Sequence, residues 1–280
     1  MSRLHDAIEK ARKEGTVAKP RPAEPLHPVT STGGITFVEG AVVTPQIEGC
    51  LVDLMKEDEP WLEQLRTLAT RLRSMEGSER VRRIGLMSAV GGEGKTTLAV
   101  MLSLVLAEQP DEGVLLIDCD LRHREVEAIL GLRSAAGFSD WIRQPTPEVP
   151  LRRIGRKGPF LLSAGRPFSR PWELVSSPHV GTLLDAAGSK FRYVIVDLPA
   201  EGPVADATKI QEHLDGLLLV VRARTAPRDA ILSTVENLQE EKVLGVLFNA
   251  ENQAASRLKH YRYSHYSKHY TGKKDRKQRP

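Results

Sequence analysis

The sequence feature that most constrains the fold is a glycine-rich loop between a predicted strand and a predicted helix. An apolar run at residues 83–88 predicts the strand, the loop reads Ala-Val-Gly-Gly-Glu-Gly-Lys-Thr-Thr at residues 89–97, and helical periodicity continues to residue 108. Glycines let the backbone approach phosphate oxygens closely, and the N–H groups at the start of a helix favour negative charge. This context predicts a P-loop, which binds the phosphates of a nucleotide.

The loop also assigns candidate roles to its residues. We expect the Lys95 ammonium to reach the β- and γ-phosphates and the Thr96 hydroxyl to ligate Mg²⁺. The predicted nucleotide-binding residues of the loop are Gly91, Gly92, Glu93, Gly94, Lys95, Thr96 and Thr97. The general pattern begins with glycine five residues before Gly94, where this chain has Ala89, so the loop is a variant. The alternative interpretation is a glycine-rich turn of an ordinary α/β protein.

Acidic residues end two of the predicted strands. Asp118 and Asp120 follow one apolar run and Asp197 ends another. In open α/β sheets, ligands bind at the carboxyl ends of the strands. Carboxylates beside a triphosphate are suited to holding Mg²⁺ with its waters and to accepting a proton from a nucleophile. Without the P-loop, an Asp after an apolar strand is usually only a turn former.

Predicted strands and helices alternate along most of the chain. Strands are expected at Arg83–Ser88, Val114–Asp118, Phe160–Ser163, Tyr193–Asp197, Gly216–Val221 and Val243–Phe248, and helices include Thr96–Glu108, Pro178–Ala187 and Pro227–Glu241. The strands are nearly continuous apolar runs, as in parallel strands buried on both faces. The pattern predicts an α/β fold with a doubly wound, mostly parallel sheet, of the P-loop NTPase type.

The remaining segments differ from this domain in composition. We predict a short amphipathic helix at residues 1–14, a Pro/Gly-rich linker at 15–57, the P-loop domain at 58–252 with a leading helix at 58–76, and a disordered basic tail at 253–280. No apolar run approaches the roughly 20 residues of a membrane helix, and no signal-peptide core is present at the start. Two cysteines form no disulfide framework, so we expect a cytoplasmic protein.

Specific motifs beyond the P-loop resemble one family. Residues 115–122, Leu-Leu-Ile-Asp-Cys-Asp-Leu-Arg, resemble the second nucleotide motif of bacterial tyrosine kinases, the cytoplasmic autokinases of capsule and exopolysaccharide loci. Residues 197–199, Asp-Leu-Pro, resemble the third motif of the family, and Gly-Glu-Gly-Lys-Thr at 92–96 resembles its P-loops. Residues 243–249 resemble its final strand, in which the residue equivalent to Asn249 lies by the base. The resemblance covers residues 60–250 and extends to the tail.

The chain departs from the family in a helix used for ring assembly. The family motif there is Glu-x-x-Arg-x-x-Arg, which Glu63 and Arg66 match but Ala69 does not. The related cell-division and partition ATPases carry a signature lysine at the position of Val90. These two differences leave the ring contact open and count against a partition-type ATPase.

Four of the five tyrosines lie close together in the basic tail. They are Tyr261, Tyr263, Tyr266 and Tyr270, and residues 252–280 hold nine Lys and Arg against one Asp, a net charge of +8. The resemblance implies that these tyrosines are phosphoacceptors modified by a neighbouring subunit. Four phosphotyrosines add a charge of roughly −6 to −8, which nearly cancels that of the tail. The alternatives are stacking on single-stranded nucleic acid, which we do not expect, or neither role.

The resemblance implies a mechanism and partners. ATP and Mg²⁺ are the expected ligands; Lys95, Asp118 and Asp120 are the expected catalytic residues; and Thr96, Asp118 and Asp197 are the expected metal ligands, with Asn249 near the base. Arg122 either screens the transferred group or forms a structural ion pair. The implied partners are other copies of the chain, a membrane activator of the chain-length-determinant type, and a phosphotyrosine phosphatase. Such an activator would hold the protein at the inner face of the membrane.

Three functions therefore remain open at the level of sequence. The first is an ATP-dependent tyrosine autokinase that regulates exopolysaccharide or capsule synthesis and export. The second is a switch ATPase of the MinD/ParA type, which would turn over ATP without forming phosphotyrosine. The third is a non-catalytic, nucleotide-binding regulator of polysaccharide export.

Overall fold

The fold is an eight-stranded sheet with helices on both faces. The computed structural model describes residues 34–43, 60–75, 81–109, 113–200 and 206–250. The strands are β1 Thr36–Val43, β2 Arg83–Ser88, β3 Val114–Asp118, β4 Glu148–Ile154, β5 Phe160–Leu162, β6 Tyr193–Asp197, β7 Gly216–Arg222 and β8 Val243–Asn249. The helices are α1 Pro60–Ser74, α2 Lys95–Leu106, α3 Glu125–Ile129, α4 Phe138–Arg143, α5 Pro171–Val175, α6 Pro178–Lys190, α7 Asp206–Gln211 and α8 Arg228–Glu236.

The strand order brings the predicted functional motifs together. It is β1-β4-β5-β3-β6-β2-β7-β8, and β4 and β5 are antiparallel whereas every other neighbouring pair is parallel. β6 therefore lies between β2, which precedes the P-loop, and β3, which ends at Asp118. The mostly parallel P-loop fold predicted from the sequence is confirmed.

Two apolar clusters hold the helices against the sheet. On one face, α1 and α2 contribute residues such as Leu65, Ala69 and Leu102, which pack with Ile84 and Ile195. The other face is covered mainly by α4, α5, α6 and α7. Each fully buried leucine or isoleucine stabilises the fold by about 1.5–3 kcal/mol relative to exposure, so both faces contribute to holding the strand ends in place.

The prediction of a linker at residues 15–57 is wrong at residues 36–43, which form a strand. Residues 36–43 form β1, which pairs in parallel with β4 and extends the sheet by one strand. Its sequence, Thr-Phe-Val-Glu-Gly-Ala-Val-Val, is rich in β-branched residues, and Phe37 packs edge-on against Phe191 with ring centroids 5.2 Å apart. The sheet therefore reaches back beyond the domain boundary predicted at residue 58.

Two further elements differ from the prediction. The strand β4 was not predicted, because its residues alternate between exposed and buried and do not form the continuous apolar run by which the other strands were identified. The helix expected at Pro227–Glu241 is shorter, since α8 ends at Glu236 and a 3₁₀ turn covers Glu240–Lys242. The N-terminal helix at 1–14 and the tail at 253–280 lie outside the described residues. No helix within the described ranges is long and apolar enough to cross a membrane.

Candidate nucleotide-binding site

The P-loop forms one wall of a cavity at the carboxyl edge of the sheet. The loop leaves β2, and α2 begins at Lys95 directly after Gly94, which has a positive φ of 88°. A side chain at Gly94 would also meet the Asn249 amide, because a Cβ there would lie 2.3 Å from its Nδ2 atom. The cavity has a volume of about 480 Å³. Such a volume suits a small-molecule ligand.

Lys95 and the predicted carboxylates converge behind this wall. The Lys95 ammonium lies 2.7 Å from Asp197 Oδ1 and 3.6 Å from Asp120 Oδ2, and it also lies 3.3 Å from the Thr96 hydroxyl. Asp118 and Asp197 occupy paired positions on β3 and β6, and both are fully buried. The structure therefore brings all five of these predicted residues to one place.

Burial and mutual repulsion perturb the carboxylates. Burial raises the pKa of Asp118 well above its usual value, and the negative charges of Asp197 and Asp120 raise it further. Burial also raises the pKa of Asp197, although Lys95 and the Thr96 hydroxyl act in the opposite direction. Carboxyl pKa values that are perturbed by both burial and neighbouring charges are typical of functional sites.

Asp118 and Asp197, the inner aspartates, each have one carboxylate oxygen that is relevant to metal binding. Asp118 Oδ2 and Asp197 Oδ2 are buried and have no hydrogen-bond partner among the described residues. Within the same ranges, no group of three or more His, Cys, Asp or Glu side chains forms a ready-made metal cluster. Mg²⁺ usually takes only one or two carboxylates and completes its shell with waters and substrate phosphates. The orphaned oxygens, the Thr96 hydroxyl and the adjacent P-loop therefore fit Mg²⁺ carried in with a nucleotide.

Two predicted nucleotide-binding residues have structural contacts. The buried Glu93 carboxylate accepts hydrogen bonds from the N–H groups of Val90, at 3.1 Å, and Arg222, at 3.0 Å. The Asn249 amide donates to the Glu93 carbonyl at 2.8 Å. These bonds tie the P-loop to the ends of β7 and β8. Sequence reasoning assigned both residues to the nucleotide, and the structure adds that they hold the loop in shape.

The cavity is lined by the predicted loop residues and by others that were not predicted. All seven predicted loop residues and Asp120 line it, together with Ser88, His123, Glu125, Ala200 and Arg222. Asp118, Asp197 and Asn249 do not line it. The predicted phosphoacceptors Tyr261, Tyr263, Tyr266 and Tyr270 lie outside the described residues.

The lining residues that were not predicted lie at strand ends or shortly after them, at the carboxyl edge of the sheet. His123 stands in the turn after β3, where its ring nitrogen lies 3.3 Å from Asp120 Oδ1. The N–H groups of Arg122 and His123 also donate to this oxygen, so the turn orients the Asp120 carboxylate. Ligands of open α/β sheets bind at the carboxyl ends of the strands. Had every residue at these ends been considered, and not only the acidic ones, His123 and Arg222 would have been among the predicted site residues.

Helix α1 explains the departure at Ala69. Glu63 and Arg66 form an exposed ion pair of 2.8 Å, and Arg66 also reaches Glu108 at 3.4 Å. Ala69 instead lies on the buried face of the helix with Leu65. An arginine at this position would bring a charge into the contact between α1 and α2. The third position of the family motif is therefore part of the core in this chain.

A P-loop on a mostly parallel sheet, with Lys95 facing acidic strand ends, defines a nucleotide-binding α/β domain. The match to family models agrees: residues 84–268 match the CobQ/CobB/MinD/ParA nucleotide binding domain. The chain therefore belongs to this family, and within it to the bacterial tyrosine-protein kinases, as the following relatives show.

The sequence relatives are kinases and polysaccharide export proteins. The chain is 30% identical over 207 residues to the tyrosine-protein kinase YwqD of Bacillus subtilis, covering 73% of this chain and 85% of YwqD. It is 32% identical over 183 residues to the succinoglycan biosynthesis transport protein ExoP of Rhizobium meliloti, covering 62% of this chain but only 23% of ExoP. Among solved structures, the VpsO kinase domain matches 70% of this chain and 98% of its own length, with 27% identity and a TM-score of 0.59.

Proposed function

We propose that this chain is an ATP-dependent protein-tyrosine kinase that phosphorylates the C-terminal tyrosines of a neighbouring copy. The observation that carries the proposal is the convergence of Lys95 with Asp120 and Asp197 at the P-loop, at 3.6 and 2.7 Å. Membership of the tyrosine-protein kinase family supplies the acceptor class. Because the chain covers only 23% of ExoP, the transport role of the whole ExoP protein is not assigned to this chain. Only a regulatory role in polysaccharide export is proposed.

The first step is a change of partner by Lys95. In the structure the Lys95 ammonium is bound to Asp197, and neither Asp118 nor Asp197 lines the cavity. The phosphates of ATP compete for the ammonium because they carry more negative charge than one carboxylate. Movement of Lys95 toward the γ-phosphate then opens the way from the cavity to the two inner aspartates.

The second step is the transfer itself. The phenolic oxygen of a tail tyrosine forms a bond to the γ-phosphorus, the bond from that phosphorus to the β–γ bridging oxygen breaks, and ADP leaves. Asp118 takes the phenol proton, and because burial raises its pKa, its carboxylate is a stronger base than an exposed one. Lys95 stabilises the negative charge of the transferred phosphoryl group. The Asp120 carboxylate, which the turn after β3 holds in place, would orient the waters around Mg²⁺.

The proposed metal site lies where the P-loop meets the inner aspartates. Thr96, Asp197 and Asp118 would hold Mg²⁺, which when bound neutralises charge on the β- and γ-phosphates. The two unpartnered carboxylate oxygens support this assignment. Asn249 and Glu93 keep the loop in its phosphate-binding shape through their bonds to its backbone.

The tail and its partners complete the proposal. Tyr261, Tyr263, Tyr266 and Tyr270 are the proposed acceptors, delivered by a second copy of the chain. An extended chain spans about 3.3 Å per residue, so the last 29 residues reach roughly 95 Å. We place the protein in the cytoplasm, at the inner face of the membrane, through an activator of the chain-length-determinant type. A phosphotyrosine phosphatase would reverse the modification.

The test is incubation with MgATP followed by detection of phosphotyrosine. The full chain is compared with Lys95→Met, with a chain ending at residue 255, and with a variant carrying Tyr→Phe at all four tail positions. The cytoplasmic segment of a candidate activator is added in parallel. We expect phosphotyrosine only in the full chain with tyrosines, and at least about 100-fold less in Lys95→Met, since Lys95 stabilises the transferred charge.

Each contrary outcome identifies a different error. ATP consumption without phosphotyrosine, with and without the activator segment, would favour the switch ATPase. Nucleotide binding without consumption would favour the non-catalytic regulator. Phosphotyrosine that persists in Lys95→Met would show that another kinase is present.

A further inference from the structure

A serine stands beside the inner aspartates on the next strand of the sheet. Asp118 and Asp197 are paired in register on β3 and β6. On the other side of β3, Ile117 pairs with Leu162 of β5, so the next residue, Ser163, follows β5 at the level of Asp118. Neighbouring strands lie about 4.8 Å apart, which brings a serine hydroxyl within reach of an aspartate on the adjacent strand, directly or through one water.

The side chains of this row point to the same face of the sheet. Leu162 and Ala164, which flank Ser163, both pack into the cluster under α4–α7, as do Ile117 and Cys119 on either side of Asp118. Alternation along a strand therefore directs Ser163 and Asp118 toward the opposite face. That is the face on which α2 begins and on which the Lys95 ammonium lies.

Each member of the row carries an oxygen that lacks a partner. Ser163 Oγ, Asp118 Oδ2 and Asp197 Oδ2 are buried and make no hydrogen bond with any described residue. Ser163 is only 2% exposed. Buried hydroxyls are nearly always hydrogen-bonded in native proteins, so an orphaned one calls for a reason. The proposed Mg²⁺ accounts for the two carboxylate oxygens, whereas the Ser163 hydroxyl is a donor that needs an acceptor, and each carboxylate oxygen has a second lone pair to offer.

We propose that Ser163 is a positioning residue that donates a hydrogen bond to Asp118 Oδ2, directly or through one bound water, when Lys95 moves to the nucleotide. The inference rests on the proposed function of this site, because it concerns the aspartate that receives the phenol proton. The hydroxyl fixes the orientation of the carboxylate, so that Asp118 Oδ1, which already accepts from the Asp120 N–H at 3.1 Å, and Oδ2 are both held. A carboxylate held at both oxygens presents one geometry to the substrate.

The test compares Ser163→Ala with Ser163→Thr, which keeps the hydroxyl. We expect Ser163→Ala to lower kcat by about 10-fold or more with KM for ATP nearly unchanged, since a hydrogen bond to a charged group is lost. Ser163→Thr should recover most of kcat. Urea denaturation of the nucleotide-free chain should show that Ser163→Ala is no less stable than the wild type, because its hydroxyl has no partner to lose.

Two further variants separate positioning from a general packing effect. Ser103→Ala removes another fully buried hydroxyl, which donates to the Ala99 carbonyl within α2, and should leave kcat unchanged. In an Asp118→Asn background, Ser163→Ala should have almost no additional effect, because both changes act on one group. Equal kcat for Ser163→Ala and the wild type, or full additivity with Asp118→Asn, would overturn the assignment.

The two proposals fail in different ways. If the wild type hydrolyses ATP without forming phosphotyrosine, the kinase function is wrong, and the same comparison made on the hydrolysis rate still tests Ser163, since water also gives up a proton to Asp118. If phosphotyrosine forms at equal rates in wild type and Ser163→Ala, only the role of Ser163 is wrong. A chain with neither activity, with or without the activator segment, overturns both.

Discussion

Replacing Lys95 with methionine removes the cation that lies among three buried carboxylates. Its ammonium is 2.7 Å from Asp197 and 3.6 Å from Asp120, and the side chain is about 6% exposed. With an effective dielectric constant of about 20, the two attractions are worth about 6 and about 5 kcal/mol. The variant also avoids the cost of desolvating the ammonium, so we expect a net loss of about 3–5 kcal/mol in the free energy of unfolding, typical of a broken buried pair.

The expected loss depends on pH, with a definite sign. Asp118 and Asp197 have raised pKa values in the folded chain, so the folded state binds protons more tightly than the unfolded state at these positions. Their contribution to stability is therefore present at low pH and is lost as the pH rises through the folded values. Without Lys95 these pKa values rise further. The penalty of Lys95→Met should be largest in alkaline solution and shrink as the carboxylates become protonated.

The assay is urea denaturation of both chains at about pH 8 and about pH 5.5, and the penalty of Lys95→Met should be larger at the higher pH. The control is Lys209→Met, which breaks a pair of similar length, 2.9 Å to Glu212, between side chains that are 51% and 44% exposed. We expect little change there at either pH, because both groups stay hydrated. A Lys95→Met chain as stable as the wild type, or equally destabilised at both pH values, would refute the reasoning.

Three other predictions follow from the site. Asp118→Asn should lower the rate of phosphotyrosine formation by about 10²–10⁴-fold, and Asp120→Asn by less, measured as kcat in saturating MgATP; the reverse order would make Asp120 the proton acceptor. Gly94→Ala should abolish nucleotide binding measured by titration, and Asn249→Ala in the same chain should restore part of it by removing the clash at Cβ; no recovery would place the defect in backbone strain alone. Ala69→Arg should destabilise the chain by about 3 kcal/mol or more in urea denaturation, because it forces a charge into the α1–α2 contact; a stable variant that assembles more strongly would show that α1 can rotate.

Much of the fold followed from the sequence because its signals are local. Strands β3 and β6 are five-residue apolar runs ending on aspartate, and parallel topology alone brings those ends to the edge that carries the P-loop. The β1 strand was not predicted, because its local signal is weaker. It lies at the edge of the sheet with most of its residues exposed, so it lacks the continuous apolar run that identified the inner strands.

The parts of the site that escaped prediction depend on distant contacts. Glu93 reads as a loop residue that faces the nucleotide, yet its carboxylate bonds to the N–H of Arg222, 129 residues away in the chain. Asn249 reads as a neighbour of the base, yet its amide bonds to the carbonyl of Glu93, 156 residues away. Local patterns do not encode such pairs, since their geometry is set by how β7 pairs with β2 and how β8 pairs with β7.

The inner aspartates also show where stability and activity separate. Three buried carboxylates beside one ammonium repel one another, and burial raises the pKa of Asp118 because its ionised form is disfavoured there. Asparagine at this position keeps an oxygen to accept the Asp120 N–H but carries no charge. The Asp118→Asn chain should therefore be more stable than the wild type by about 1 kcal/mol or more in alkaline solution, with the gain disappearing at low pH where Asp118 is protonated. An inactive but stabilised variant would mean that this carboxylate is kept for its chemistry, whereas an inactive and destabilised one would mean that the charge supports the fold.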